Sequence, residues 1–264
     1  MRKYLIAAIA AFAAVALATG AVAQEGPGAS LDVKVTPKKA GTKSNPKNST
    51  IELEVVNDDF SQTASTIEIW LPKKLKLNTK GIKKCNLDAL SLSATACSSA
   101  SRVGSGEAVA RAGVSRNGVY APSPGQLPFK VTAYVANSKS SQPALRGADL
   151  AFYLQQMTAP GGSVVESGIT AVAPAFIGRA SGKYGSKLTI EIPEEPAQQY
   201  PAGQYNGLER LEAKLTKKKG KRKLFSTTGC KKRKHPFQVA VTFVPNPAPP
   251  KQQKITVRDN APCR

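Results

Sequence analysis

The chain holds one histidine, one tryptophan and two methionines in 264 residues, and only 17 acidic residues against 38 basic ones. The single histidine, His235, stands between Lys234 and Pro236 in a basic run. Ser-His-Asp or Cys-His chemistry would have to pass through it, and neighbouring cations disfavour the imidazolium that such a triad forms during turnover. We therefore expect a solvated loop histidine and no triad. With four cysteines expected in disulfides, one histidine leaves no zinc or copper ligand set. Asn57-Asp58-Asp59 is not followed by carboxylates at loop-ligand spacing, so it reads as an Asx turn and not a calcium loop. There is no GxxxxGK[ST] and no GxSxG. Gly104-Ser105-Gly106 begins like a dinucleotide loop, but Val109 occupies the position of the third glycine. The sequence thus points to no catalytic, cofactor-binding or metal-binding residue.

Long apolar runs are also missing, except at the start. Arg2 and Lys3 precede an uncharged run from Leu5 to Ala18, and Ala21-Val22-Ala23 is a small-x-small cleavage site ahead of Gln24. Residues 1–23 read as a signal peptide and residues 24–30 as a flexible lead-in. No later segment has the ~20 apolar residues a membrane helix needs, so no span is expected in the mature chain. The expected destination is secreted, extracellular or associated with the cell envelope.

What is present is the punctuation and alternation of strands. There are 21 glycines and 19 prolines, spread throughout. Period-two alternation marks Leu31–Val35, Thr50–Val56, Thr66–Leu71, Glu107–Ala112, Phe129–Val135, Leu150–Gln155 and Leu188–Ile192 as strands. Trp70 is expected to cover one end of the core. Residues 164–180 read as a bent strand or a pair. Leu208, Leu211 and Leu215 suit helical spacing, with a strand equally open. The last unit, Lys223–Thr227, Phe237–Val244 and Ile255–Val257, reads as three strands. The fold expected for residues 31–264 is all-β: a large antiparallel β-sandwich, jelly-roll or Ig-like, or two smaller sandwiches divided near residues 113–127.

Cys85, Cys97, Cys230 and Cys263 are even in number and have no CxxC spacing, so in an exported chain they read as two disulfides. Three connectivities are open, and the sequential one, Cys85–Cys97 with Cys230–Cys263, is preferred. A Cys85–Cys97 bridge would remove about 3 kcal/mol of loop entropy from the unfolded chain. Inside that loop, Asn86 and Asp88 are candidate caps for a turn of helix that turns Leu87 and Leu90 inward. The glycines of Val103-Gly104-Ser105-Gly106 permit a positive φ or a bulge that aims the next strand.

The run Leu71-Pro72, Leu77-Asn78-Thr79-Lys80-Gly81, Cys85, Cys97, Ser101 and Val103-Gly104-Ser105-Gly106 resembles a group of secreted, β-rich actinobacterial proteins of unknown function. The similarity extends through Ile190-Glu191-Ile192-Pro193 to a late cysteine pair. Ser98 follows the second cysteine where the group carries proline. The resemblance implies a scaffold and no activity.

Charge is the feature that departs from the ordinary. The formal net charge is +21, and +19 without Arg2 and Lys3. Lys217, Lys218, Lys219, Lys221, Arg222, Lys223, Lys231, Lys232, Arg233 and Lys234 follow one another, with no acidic residue between Ala213 and His235. If a hairpin joins the two runs, they form a polyanion-binding patch for an anionic envelope or extracellular polymer. Specific nucleic-acid recognition is not expected, because only Phe225 and Phe237 lie nearby and both look core-facing. The rival explanation is a general lysine excess, carried for example by residues 34–47 and 73–84. The expected function is an exported, non-enzymatic binding protein. The alternative is a glycan-acting hydrolase whose carboxylates are brought together by the fold; the adjacent Glu194 and Glu195, in a proline-rich loop, read as a surface pair.

Overall fold

The computed structural model describes residues 29–57, 64–115, 125–165, 168–192, 204–219, 222–230, 232–243 and 254–264. Residues 1–28, and with them the expected signal peptide, lie outside the described residues, as do Asp58, Asp59, Glu194 and Glu195. In chain order the strands are β1 (Ala29–Thr36), β2 (Lys47–Asn57), β3 (Ala64–Pro72), β4 (Leu75–Leu77), β5 (Arg102–Ser115), β6 (Gln126–Val135), β7 (Leu150–Gln156) and β8 (Thr170–Arg179). They continue as β9 (Tyr184–Glu191), β10 (Gln204–Leu215), β11 (Lys218–Lys219), β12 (Arg222–Lys223), β13 (Phe225–Thr227), β14 (Lys234–Phe243) and β15 (Lys254–Pro262). One short helix, α1 (Leu87–Leu92), precedes β5.

The chain is all-β. Strands β15-β14-β3-β9-β8-β7-β6-β5-β10-β2-β1 form one continuous sheet in which every ladder is antiparallel. The sheet curls until β10 and β3 approach each other across the interior and β1 lies beside β15. The expected sandwich therefore has two layers that belong to one wrapped sheet. Strands on both sides of residues 116–124 share this sheet and its core. Among the described residues, β1 and β15 share no ladder. The Val33 amide donates to Asp259 Oδ2 at 2.8 Å, the Arg264 amide to the Lys38 carbonyl at 2.7 Å, and the Ala40 amide to the Arg264 carbonyl at 2.8 Å.

Alternation assigns the faces. Ile67, Ile69 and Leu71 of β3 point into the core, which sends Glu68 and Trp70 outward. Trp70 is thus a half-buried wall residue and not the cover of the core. Lys187 and Lys254 stand 5.5 and 5.6 Å from its ring centroid, and both bond Glu68 between them. Burial by itself would raise the Glu68 pKa, but the two ammonium groups together hold it below the usual carboxylate range. Charged residues such as Lys34, Glu52, Lys130 and Lys214 also occupy the outer wall, the reverse of a membrane barrel's lipid face.

Close packing shapes β5. A register shift falls between Arg102 and Gly104 against β6, the bulge the glycines allow; neither Gly104 nor Gly106 has a positive φ. Their second role is proximity. A Cβ on Gly106 would stand 1.9 Å from the Glu212 carbonyl, and one on Gly104 2.6 Å from that of Lys214. A similar shift explains the leucines of β10. Its register moves between Leu208 and Arg210, so Leu208 and Leu211 both face the core from a strand.

The interior is unequal along its length. At the end that receives both disulfides, Phe225, Phe237, Leu71 and Leu188 fill the space and leave a void of only about 10 Å³. Toward the other end, where β3 begins and β9 finishes, a cavity of about 120 Å³ remains. Ala108, Ala110, Ala171, Ala173 and Ala213 contribute to its wall. Outside the sheet, α1 covers β6, β7 and β8: Leu87 and Leu90 pack on Tyr134, Ala151, Tyr153 and Val172.

Candidate functional site

The disulfide end is built from connections that hold one another. Asn86 caps α1, its Oδ1 accepting from the Asp88 amide at 2.9 Å. Asp88 has a different role from the expected cap. Its carboxylate accepts from the Ser140 hydroxyl and, at 2.9 Å, from the Ser141 amide, and these bonds hold its pKa below the usual range. Cys85 and Cys97 are joined across a Cα separation of 5.3 Å, and Cys230 and Cys263 across 6.1 Å, which is the sequential pairing. The second bridge ties the entry of β14 to the exit of β15. β13 stands apart from those strands, between β2 and β4.

Both basic runs lie at this end, one on each side of β13, and the hairpin found there belongs to the first run alone. Leu215 pairs with Ile51 of β2 and Phe225 pairs with Ser49, so β13 resumes the line of β10 along the same partner. The residues between them leave the sheet and return as a small hairpin in which Lys218 pairs with Lys223 and Lys219 with Arg222. The Lys217 ammonium donates to the Ser99 carbonyl at 2.9 Å, and Lys223 reaches the Pro46 carbonyl. Lys232 and Arg233 lie at φ 52° and 57°, two consecutive left-handed residues in a turn position that Asn and Gly normally fill. Lys232, Arg233 and Lys234 are exposed. Lys221 and Lys231 lie outside the described residues.

The supposedly dispersed lysines belong to the same end. The Asn78 amide donates to the Leu224 carbonyl, the Thr228 amide to Lys74, and the Cys263 amide to Arg233, each within 3 Å. Gly41 N–H reaches the Thr227 hydroxyl at 3.4 Å. The described residues of segments 37–47, 73–84 and 216–234 thus lie at one end. They include four, six and eight basic residues and no acidic one. Sequence reasoning separated segments that β4, β13 and β2 bring side by side. Among the described residues, no ion pair engages a cation of these segments; the pairs found lie on the barrel wall.

His235 corrects another expectation. It is the second residue of β14, faces inward and is 2% exposed, because strand alternation overrides the polarity of its neighbours. Burial depresses its pKa, so it is held as neutral imidazole.

No family model, curated protein or solved structure matches this chain.

A second surface brings carboxylates and cations together in a groove. Across β1, β2, β10 and β5 the register aligns Asp32, Glu54, Glu212 and Glu107, with Lys130 of β6 next in the row. They line an outer groove of about 870 Å³ together with Lys34, Glu52 and Lys214. Directly opposed residues place their Cβ atoms about 4.5–5.5 Å apart, close enough for a carboxylate pair. These carboxylates stand among cations, however: Lys34 bonds Asp32 at 2.9 Å, Lys214 bonds Glu52 at 2.7 Å, and Arg210 bonds Glu212 at 3.0 Å. An apolar pocket of the kind that keeps one carboxylic acid protonated is not what surrounds them. Among the described residues, no group of His, Cys, Asp and Glu is arranged to hold a metal ion.

Proposed function

We propose that this is an exported, non-enzymatic protein that sets its basic end against anionic polymer of the cell envelope or the extracellular space. One observation carries the proposal: 18 basic residues among the described ones, and no acidic residue, fall in three segments that lie at one end. Such a concentration attracts polyanions and releases their counterions on contact. Two supports are independent of charge. The cross-linked connections present the cations on an ordered scaffold, so little entropy is lost on binding. Lys232 and Arg233 keep a backbone conformation that glycine or asparagine would adopt with less strain. The two disulfides fit an oxidising compartment, and an intact mass beginning at Gln24 would support export.

The test compares three sets of four Lys/Arg→Gln changes, measured against duplex DNA as a polyanion probe over a salt series. Substituting Lys218, Lys219, Lys221 and Arg222 alters the first basic run. Substituting Lys38, Lys74, Lys80 and Lys232 alters the rest of the end. Substituting Lys34, Lys130, Lys214 and Arg258 alters the wall. The first two sets should each weaken binding and flatten the log–log salt slope, by about 0.9 per lost phosphate contact. The wall set should leave the slope near the wild-type value. Equal losses from all three would assign the effect to net charge and remove the site. The carboxylates of the outer groove supply a second reading, as a hydrolase of glycans. It requires glycan cleavage that Glu107→Gln or Glu212→Gln abolishes.

A further inference from the structure

We propose that the cavity at the end remote from the disulfides is a binding site for an uncharged hydrocarbon chain: the alkyl tail of a single-chain amphiphile, inserted methyl end first. The lining is wholly apolar; no charged or hydrogen-bonding side chain of the described residues faces it. A water molecule needs two to four polar partners, so this space offers water nothing, and it offers a headgroup nothing either. The hollow is a property of residue choice. Inward positions at the packed end carry Phe225, Phe237 and Leu188, whereas here Ala108, Ala171, Ala173 and Ala213 take inward places on β5, β8 and β10. Both ends share one sheet, so strand geometry alone does not create the difference.

Among the described residues, apolar side chains continue from the cavity toward that end. Ala110, Leu127, Ile169, Ile192 and Leu208 pack against the core at the ends of β5 to β10 while remaining only half-buried. The described residues therefore form an apolar rim around an apolar hole. A cavity of about 150 Å³ accepts benzene, so about 120 Å³ holds on the order of five carbons. A longer tail would continue outward past the rim, leaving its headgroup in solvent. Mouths of β-barrels are recurrent sites for such ligands. This inference is independent of the basic end, which is uninvolved in the cavity wall.

The experiment uses the full mature chain and uncharged probes, so that the strong positive charge plays no part. Butyl, hexyl and octyl glucoside, each below its micelle concentration, are titrated beside glucose, with methyl-resolved NMR as readout. Affinity should rise about fourfold per added methylene up to about five carbons and then level off, with glucose silent. Shifts should concentrate on methyls of Leu53, Ile67, Ala173 and Leu154. Ala173→Leu should reduce octyl glucoside affinity at least tenfold. Ala171→Met, a more flexible filler near the rim, should do the same should the first variant fail to fold. Absence of any chain-length dependence in the wild type overturns the proposal. So do shifts that appear only on the outer surface, for example at Leu92, or contacts showing that the chain's own connecting segments already fill the cavity.

Discussion

The two ends of this sheet obey different packing rules. At the disulfide end, phenylalanine and leucine side chains meet with about 10 Å³ to spare, and the connections are tied by two cross-links and a set of backbone hydrogen bonds. At the far end, alanines leave about 120 Å³ empty. Left unfilled, such a space costs about 3 kcal/mol at the usual penalty per unit of cavity volume. That is a sizeable share of the stability of an ordinary domain. The contrast shows that rigidity and void are distributed separately, the first where the cations are presented and the second where the sheet can admit something.

The sharpest test is truncation at each end. Phe237→Ala, in the filled half, should lower unfolding free energy by about 4 kcal/mol, and Leu154→Ala, beside the cavity, by only about 2. Equal losses in urea titrations would abolish the distinction. Replacing Cys85 and Cys97 together by alanine should cost about 3 kcal/mol, with hydrogen exchange rising first around α1. If protection fell first at the rim instead, the two ends would not be independent. Gly106→Ala is a smaller probe of the wall between them. Its Cβ would meet the Glu212 carbonyl and push β5 from β10, at a cost of about 2 kcal/mol in thermal unfolding.

The smallest effect is a pH dependence confined to the disulfide end. Burial holds the His235 pKa below its ordinary 6.5. The unfolded chain therefore binds a proton that the folded chain refuses. The stability associated with neutral His235 is complete above about pH 6.5 and is lost as pH falls toward the folded-state value. Melting curves between pH 7.5 and 5 should show this slope, and His235→Phe should remove it. An unchanged slope in that variant would assign the acid sensitivity elsewhere.

Much of the fold was readable because strand alternation is local. Leu31–Val35, Thr50–Val56 and Phe129–Val135 announce their buried faces with no help from the rest of the chain. The capping of α1 by Asn86 and the sequential disulfides were legible for the same reason. The errors came from interruptions of period and from long-range neighbours. A bulge gives Leu208 and Leu211 a helix-like spacing inside a strand. His235 and Trp70 take their faces from the register of β14 and β3, against what their polarity and size suggest. The basic runs at 216–234 were visible, but their union with residues 37–47 and 73–84 depends on β13 lying between β2 and β4. The cavity was invisible, since five alanines on three strands carry no signature until the sheet closes.

Eleven strands cannot alternate direction all the way round. With every other ladder antiparallel, β1 and β15 are left running the same way, and the closing contact joins Val33 to Asp259 across 226 positions of sequence. Contacts of that span are the slowest to form, because the loop entropy must be overcome before any bond rewards it. The order of assembly follows. The consecutive strands β5 to β9 can zip as neighbours, whereas β1 and β15 wait as open edges until the last step. An open edge invites other chains, and charged side chains are the usual deterrent. Asp32 and Lys34 on β1, with Lys254 and Arg258 on β15, stand where that deterrent is required. Their worth would show in the yield of refolding at high protein concentration, long before it showed in the finished molecule.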